Sequence, residues 1–187
     1  MILYLIAAYL HPGGSYFDES TTTFSWKYNY WCDLLSPIAK NGMDNDGQPI
    51  ALGAMLVLAT AVCLSWVGIF AQLPFQSSQK RYFQLSGLLS MAIAIFIFTP
   101  LHDIVIIVAG ILALMTLIAL FVGLYKSKHT QLLYVGIACL LLMGLNNLIY
   151  FTNTGMEHLA VLQKITFIFV LLWILMLNYK FIQLSKT

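Results

Sequence analysis

Residues 104–125 read IVIIVAGILALMTLIALFVGLY, an uninterrupted run without a charged side chain. A membrane-spanning helix needs about 20 consecutive, mostly apolar residues, so this stretch predicts a helix that crosses a bilayer. Four more stretches have the same character: Ile50–Leu73, Phe83–Pro100, Leu132–Phe151 and Leu159–Phe181. The predicted fold class is therefore all-α, a polytopic bundle of transmembrane helices.

The composition of the whole chain agrees with that prediction. Of 187 residues, 60% are hydrophobic and only 9% are charged, whereas soluble domains carry roughly 25% charged residues. So few polar side chains cannot cover the apolar interior of a soluble protein. The net charge of +2 is too small to indicate a nucleic-acid partner. We expect a single membrane domain over residues 1–187.

The first predicted span along the chain, residues 1–11, is apolar but short, and it brings the number of predicted spans to six. At about 1.5 Å per residue it reaches roughly half of the ~30 Å hydrocarbon layer. An ammonium group at mid-membrane would be costly. We expect that the natural start lies upstream of Met1; the alternative is a short first helix that is sheltered by its neighbours.

The basic residues of the short loops predict the orientation of the chain, because Lys and Arg concentrate in cytoplasmic loops. The loops after the second, fourth and sixth spans hold Lys80, Arg81, Lys126, Lys128, Lys180 and Lys186. The opposite side holds every acidic residue: Asp18, Glu19, Asp33, Asp44, Asp46, Asp103 and Glu157. This bias predicts six spans with both termini in the cytoplasm.

A long loop on the predicted outer side, residues 12–49, is rich in aromatic residues and is called the aromatic loop here. Its aromatic side chains are Tyr16, Phe17, Phe24, Trp26, Tyr28, Tyr30 and Trp31. Tyr and Trp favour the head-group level of a membrane. We expect a short interfacial helix within Phe24–Ala39. The alternative is an aromatic belt without a catalytic role.

Polar residues from several elements fall at the outer side, and Lys164 is the most informative of them. A lysine within a span is expensive unless it reaches the interface or finds a partner. One interpretation is snorkelling to the interface; the other is a cation in a polar pocket, paired with an acid or receiving an anionic group. The ligand-binding candidates are Lys164, Asn147, Asn146, Asp33, Asp103 and Glu157.

Three histidines permit a second interpretation of the outer side. His11, His102 and His158 all fall there, and three imidazoles with a water are a catalytic zinc set. No short spacing between ligands supports their convergence. We expect no cofactor, with zinc as the alternative.

Two motifs resemble a known family. His11-Pro12-Gly13-Gly14-Ser15 and Asn29-Tyr30-Trp31-Cys32-Asp33-Leu34 resemble small bacterial membrane proteins of the domain of unknown function 998 family, loosely akin to the Frag1/DRAM/Sfk1 proteins. That family usually has Tyr at the place of His11 and Ser at the place of Cys32, which weakens His11 as a metal ligand. The resemblance implies about six spans, a role for Asp33 and no known reaction.

Three functional hypotheses remain open from the sequence. The first is a non-enzymatic membrane protein with a polar extracytoplasmic pocket for a lipid or small amphiphile. The second is a membrane-embedded lipid hydrolase that could use zinc, and the third is a structural or accessory subunit with a membrane-protein partner. The expected location is the bacterial cytoplasmic (inner) membrane, and membrane lipids are the expected partners.

Overall fold

A computed structural model describes residues 1–184, except for the side chain of Phe98. The α-helices are α1 Ile2–Leu10, α2 Gln48–Gln72, α3 Ser77–Ala94, α4 His102–Lys126, α5 Thr130–Thr152 and α6 Met156–Leu184. Two 3₁₀ helices cover Cys32–Leu35 and Ile95–Phe98. The described residues contain no β-strand, only an isolated bridge between Ile38 and Asp44. The all-α prediction is confirmed for this part of the chain.

Four of the helices, α2, α4, α5 and α6, are long and apolar enough to cross a membrane. Much of their apolar surface is not covered by the rest of the chain: Leu64 is 70% exposed and Leu141 is 69% exposed. Soluble proteins rarely leave large contiguous apolar areas uncovered. The helices therefore fit a membrane location, in which lipid covers these side chains.

The helices α1 and α3 are different. With nine residues, α1 reaches about 14 Å, roughly half of the hydrocarbon layer. The first turns of α3 carry Gln79, Lys80 and Arg81, so its apolar part starts only near Phe83. Including the 3₁₀ helix that follows, that part reaches about 26 Å. The predicted count of six spans therefore stays a prediction.

One compact unit holds residues 58–139 and the described chain from Phe169 onward. Its core, called the Phe70 cluster here, consists of Ile69, Phe70, Leu73, Ala119, Leu120, Leu124, Leu132, Cys139, Trp173, Leu177 and Phe181. Trp173 packs closely on α5, because a Cβ at Gly136 would lie 2.4 Å from its ring. The indole Nε1–H of Trp173 donates to the carbonyl of Leu132 at 2.8 Å. Apolar packing, together with this hydrogen bond, holds the Phe70 cluster.

The second compact unit holds residues 1–57 and 140–168, and it contains α1, the aromatic loop and the start of α6. Leu34 is fully buried and Leu35 nearly so. Gly47 allows a close approach of α1, because a Cβ there would lie 2.4 Å from the carbonyl oxygen of Ala7. Asn29, Asp33 and Lys164 lie in this unit, whereas the predicted site residues His102 and Asp103 lie in the other.

The short helix expected within Phe24–Ala39 is reduced to the 3₁₀ helix Cys32–Leu35. Side-chain hydrogen bonds to the backbone explain this difference. The amide of Asn45 donates to the carbonyls of Leu34 and Ser36 at 3.1 and 2.9 Å, and the Asn29 side chain accepts from the Ser25 N–H at 2.8 Å. Such bonds compete with the helical ladder, so most of the loop keeps an irregular but hydrogen-bonded path.

Candidate functional site

Lys164 lies in the first part of α6 and is 9% exposed. Its ammonium donates to the backbone carbonyl of Asn29 at 2.5 Å and to that of Ala160 at 3.0 Å. The ammonium also lies 5.6 Å from the ring centre of Phe24 and 5.9 Å from that of Trp31, where the faces of the rings attract a cation. The side chain therefore points into the protein, and the snorkelling interpretation is wrong.

Asn29 connects Lys164 to Asp33. The Asn29 side chain is fully buried, and its Nδ2 donates to the carbonyl of Gly14 at 2.6 Å and to Asp33 Oδ2 at 3.0 Å. The same carboxylate oxygen accepts from the Tyr30 N–H at 2.8 Å. We call Asn29, Asp33 and Lys164 the Asn29 cluster. Asn29 thus links a cation to a carboxylate: its backbone carbonyl binds Lys164, and its side-chain amide binds Asp33.

A glycine turn fixes the position of Gly14 next to Asn29. Gly13 and Gly14 have φ angles of +99° and +70°, which side chains rarely tolerate. A Cβ at Gly14 would also lie 2.2 Å from the backbone nitrogen of Asn41. The Gly14 N–H donates to the carbonyl of Thr21 at 2.9 Å. The Pro12-Gly13-Gly14 motif is thus required by the local backbone, and it supports the Asn29 cluster directly.

A second set of contacts joins the aromatic loop to α6. The backbone N–H of Trp31 donates to Gln163 Oε1 at 3.0 Å. The Trp31 ring lies 5.9 Å from that of Phe167 and 5.5 Å from that of Tyr4. Gln163 and Lys164 are adjacent in α6, and they bind Trp31 and Asn29, which lie in the same stretch of the loop.

The Asp33 carboxylate and burial together suppress ionisation of its neighbours. Burial, together with the negative charge of Asp33, raises the pKa of the Tyr30 phenol to about 12. The same two causes raise the pKa of the Cys32 thiol to about 11. Both groups are therefore neutral at physiological pH, and Cys32 is unsuited to act as a nucleophile.

The two predicted amides of α5 differ in their contacts. Asn146 Nδ2 donates to the hydroxyl of Thr166 on α6 at 2.8 Å, and to the carbonyl of Leu142. Asn147 is exposed and donates to the carbonyl of Met143 in its own helix at 3.1 Å. Asn146 therefore joins two helices, whereas Asn147 makes no described contact with the Asn29 cluster.

The remaining predicted residues form pairs of sequence neighbours. Glu157 and His158 are both exposed at the start of α6, and His158 Nε2 lies 3.5 Å from Glu157 Oε1. His102 and Asp103 lie 2.9 Å apart at the start of α4. The predicted site residues include three acids as possible partners of Lys164, namely Asp33, Asp103 and Glu157. Glu157 makes no described contact with Lys164. Of these three, only Asp33 belongs to the hydrogen-bonded network of Lys164.

The histidines give the zinc alternative no structural support. Within residues 1–184, no group of three or more His, Cys, Asp or Glu side chains could hold a metal ion. His11 is 3% exposed, and its Nδ1 accepts from the Gly13 N–H at 3.1 Å. His11 therefore has a role in the glycine turn.

Sequence reasoning missed Asn29 as a site residue, although the motif Asn29–Leu34 contains it. The signal was present, because a buried amide can donate and accept at the same time. The sequence did not show that Lys164 donates to the backbone carbonyl of Asn29, while the Asn29 side-chain amide donates to Asp33.

Comparisons with known proteins add no relative. No family model matches the chain, and neither a curated protein nor a solved structure matches it significantly. The resemblance of the motifs His11–Ser15 and Asn29–Leu34 to the domain of unknown function 998 family therefore stays a prediction.

Proposed function

We propose that the chain is a membrane protein whose aromatic loop and the start of α6 form a polar pocket at the extracytoplasmic face, and that this pocket binds a lipid or small amphiphile. Four helices of sufficient length and apolarity support the membrane part of the proposal. The Asn29 cluster supports the pocket, since it joins a buried amide of the loop to a buried ammonium of α6.

The buried ammonium of Lys164 is the observation that carries this proposal. Burying a cation is costly unless its surroundings compensate the charge. Here backbone carbonyls and two aromatic faces receive it, without a carboxylate within 4 Å among the described residues. The Lys164 ammonium is thus held among aromatic side chains. Such a combination suits a ligand with a polar head and an apolar chain.

Exposed aromatic side chains of the same loop support a location at the lipid surface. Tyr16 is 64% exposed, Trp26 is 51% exposed and Phe17 is 41% exposed. Rings with an apolar body and a polar tip are stable between acyl chains and water. An amphiphile bound near Lys164 would thus have apolar surface at hand for its chain.

Photo-crosslinking of the full chain tests this proposal. The probe is phosphatidylglycerol with a diazirine on the acyl chain close to the glycerol, added to the protein in maltoside micelles. We expect crosslinks within residues 24–34 and near Gln163, and an excess of unlabelled lipid should abolish them. Crosslinks on outward helix positions such as Leu64 serve as the control, because bulk lipid there is not displaced in a saturable manner.

The opposite pattern would contradict the proposal. If saturable crosslinks are absent from the aromatic loop while Leu64 is labelled, lipid covers only the outside of the helices. The loop would then be a structural element or a surface for a protein partner.

A further inference from the structure

Two buried side chains near Lys164 carry nitrogen atoms without a hydrogen-bond partner in the described part of the chain. These atoms are Nε1 of Trp31 and Nε2 of His11; the His11 ring also interacts with the backbone of Asp33, without forming a well-aligned hydrogen bond. Trp31 is 9% exposed and His11 is 3% exposed. Buried polar groups are paired in most proteins. The hydroxyl of Tyr30 is also buried without a partner, so these three groups together point to a missing partner.

Both nitrogen atoms are donors. The indole Nε1 of Trp31 always carries a hydrogen. His11 accepts the Gly13 N–H at Nδ1, which requires that this nitrogen is unprotonated. The hydrogen of the neutral imidazole then lies on Nε2. The missing partner must therefore be an acceptor.

Lys164 contributes a third donor with the same requirement. An ammonium has three N–H groups, and the described contacts of Lys164 use two of them, on the carbonyls of Asn29 and Ala160. Its charge has no carboxylate within 4 Å among the described residues. Asp33 Oδ2 already accepts hydrogen bonds from the Asn29 side chain and the Tyr30 N–H.

The three donor residues contact the same aromatic side chain. The ring of Phe24 lies 5.6 Å from the ring of His11, 6.4 Å from that of Trp31 and 5.6 Å from the ammonium of Lys164. The three residues therefore lie around one buried ring, in a largely dehydrated part of the unit. In such a region a charged acceptor gains more from each hydrogen bond than it would in water.

We propose that this region receives an anionic oxygen head group, a carboxylate or a phosphate, of a bound amphiphile, with Trp31 Nε1–H, His11 Nε2–H and Lys164 as donors. This inference rests on the proposed function and specifies the head group. It excludes cationic head groups without acceptors, which would face a lysine and unpaired N–H groups.

Binding of amphiphiles with one chain and different heads tests the inference. Laurate, dodecyl phosphate and dodecyltrimethylammonium are added to the full chain in maltoside micelles, and binding is measured by native mass spectrometry. Inorganic phosphate alone is added in a separate arm. We expect both anions to bind at least ~10-fold more tightly than the trimethylammonium compound, and phosphate alone to bind weakly.

A matched pair of variants assigns the effect to the donors. Trp31→Phe removes the Nε1–H and keeps an aromatic ring, so we expect a roughly tenfold loss of dodecyl phosphate binding. Trp66→Phe is the control, because Trp66 also carries a buried Nε1–H without a described partner but lies in the other compact unit; it should leave binding unchanged. Protease protection of the loop verifies that both variants fold.

Each other outcome has a distinct meaning. Equal binding of all three amphiphiles, unaffected by Trp31→Phe, overturns the head-group inference and leaves the proposed function intact; ordered water would then satisfy the donors. Binding of free phosphate as tight as that of dodecyl phosphate supports the anion site but contradicts an amphiphile as its ligand. Binding of none of them overturns both proposals.

Discussion

The Phe70 cluster and the Asn29 cluster hold two parts of the same chain by different means. In the Phe70 cluster, side chains such as Phe70 and Leu120 are fully buried against other apolar groups. In the Asn29 cluster, a buried amide and a buried ammonium form hydrogen bonds to backbone carbonyls of Gly14, Asn29 and Ala160.

This difference shows which part of the chain is specialised. Between helices in lipid, packing and dispersion supply most of the stabilisation, because lipid tails are as apolar as the side chains. The Phe70 cluster consists of apolar side chains, with the hydrogen bond from Trp173 to Leu132 as its polar contact. The Asn29 cluster contains charges that packing alone does not require, and intramembrane or buried charges of this kind usually mark function.

The largest expected effect comes from the glycine turn that supports the Asn29 cluster. Gly14→Ala places a side chain at φ +70° and 2.2 Å from the backbone nitrogen of Asn41. Strain and overpacking together should cost about 3 kcal/mol or more of the free energy of unfolding. The measurement is reversible unfolding in mixed micelles, combined with hydrogen exchange of residues 24–34.

Gly42→Ala is the matched control for this prediction. Gly42 also has a positive φ, +81°, but a Cβ there would meet nothing within 4 Å. It should cost only the backbone strain, about 1 kcal/mol. Equal losses in both variants would show that the close contact of Gly14 has no importance for the loop.

The next effect concerns the cation itself. Lys164→Met keeps an unbranched stem of similar length but removes the ammonium and its two hydrogen bonds, so the carbonyl of Asn29 loses its charged donor. Hydrogen bonds to charged groups are worth about 1.5–3 kcal/mol, and we expect a loss of that order. Protease cleavage within the aromatic loop should become faster.

Lys40→Met is the control for the removal of a charge, because Lys40 is an exposed lysine of the same loop. It should change the free energy of unfolding by less than about 0.5 kcal/mol. If Lys164→Met is equally harmless, the aromatic loop does not depend on the hydrogen bonds of Lys164. The stability of the Asn29 cluster would then not rest on its buried charge.

A smaller effect is expected in the Phe70 cluster. Gly136→Ala would place a Cβ 2.4 Å from the ring of Trp173, and the displaced ring should cost about 1–3 kcal/mol. Gly144→Ala, on the same helix α5, meets nothing within 4 Å and should stabilise the helix by up to about 1 kcal/mol. Loop protection should stay unchanged in both, since the Asn29 cluster does not depend on Gly136. Faster cleavage of the loop in Gly136→Ala would contradict that independence.

Much of the helical framework could be predicted from the sequence. The apolar stretch Ile104–Tyr125 lies in α4, which spans His102–Lys126, and Leu132–Phe151 lies in α5, which spans Thr130–Thr152. The largest difference is at α3, which begins at Ser77 and not at Phe83. Its capping residues Gln76 and Gln79 are polar, and a search for apolar runs starts later.

The site could be predicted only in part. A lysine within an apolar stretch is visible in the sequence, which left open whether Lys164 reaches the interface or finds partners. Its acceptors are main-chain carbonyls of Asn29 and Ala160, and every residue has a carbonyl. No pattern of side chains marks such a partner, because the irregular path of the aromatic loop decides which carbonyl is presented.

Reactivity of Cys32 reports on the Asn29 cluster without weakening it. In a variant with Cys63→Ala and Cys139→Ala, Cys32 is the remaining thiol. Burial and the negative charge of Asp33 raise its pKa from the usual 9.0 to about 11, so the reactive thiolate stays scarce at high pH. The rate of alkylation by iodoacetamide should therefore still rise about tenfold per pH unit up to pH ~9.5, where an ordinary thiol begins to level off.

Adding Lys164→Met to the same variant turns this measurement into a test of the loop contact. If the ammonium holds the loop on α6, its loss exposes Cys32 to water, and the pKa of the thiol should fall back toward its usual value. Alkylation should then become faster at pH 8 and level off earlier. Lys40→Met should not make alkylation faster, because the positive charge of Lys40 lowers the pKa of Cys32 and its loss acts in the opposite direction. A profile unchanged by Lys164→Met would mean that the burial of Cys32 depends on the loop's own hydrogen bonds, such as those of Asn29 and Asn45, and not on the charge in α6.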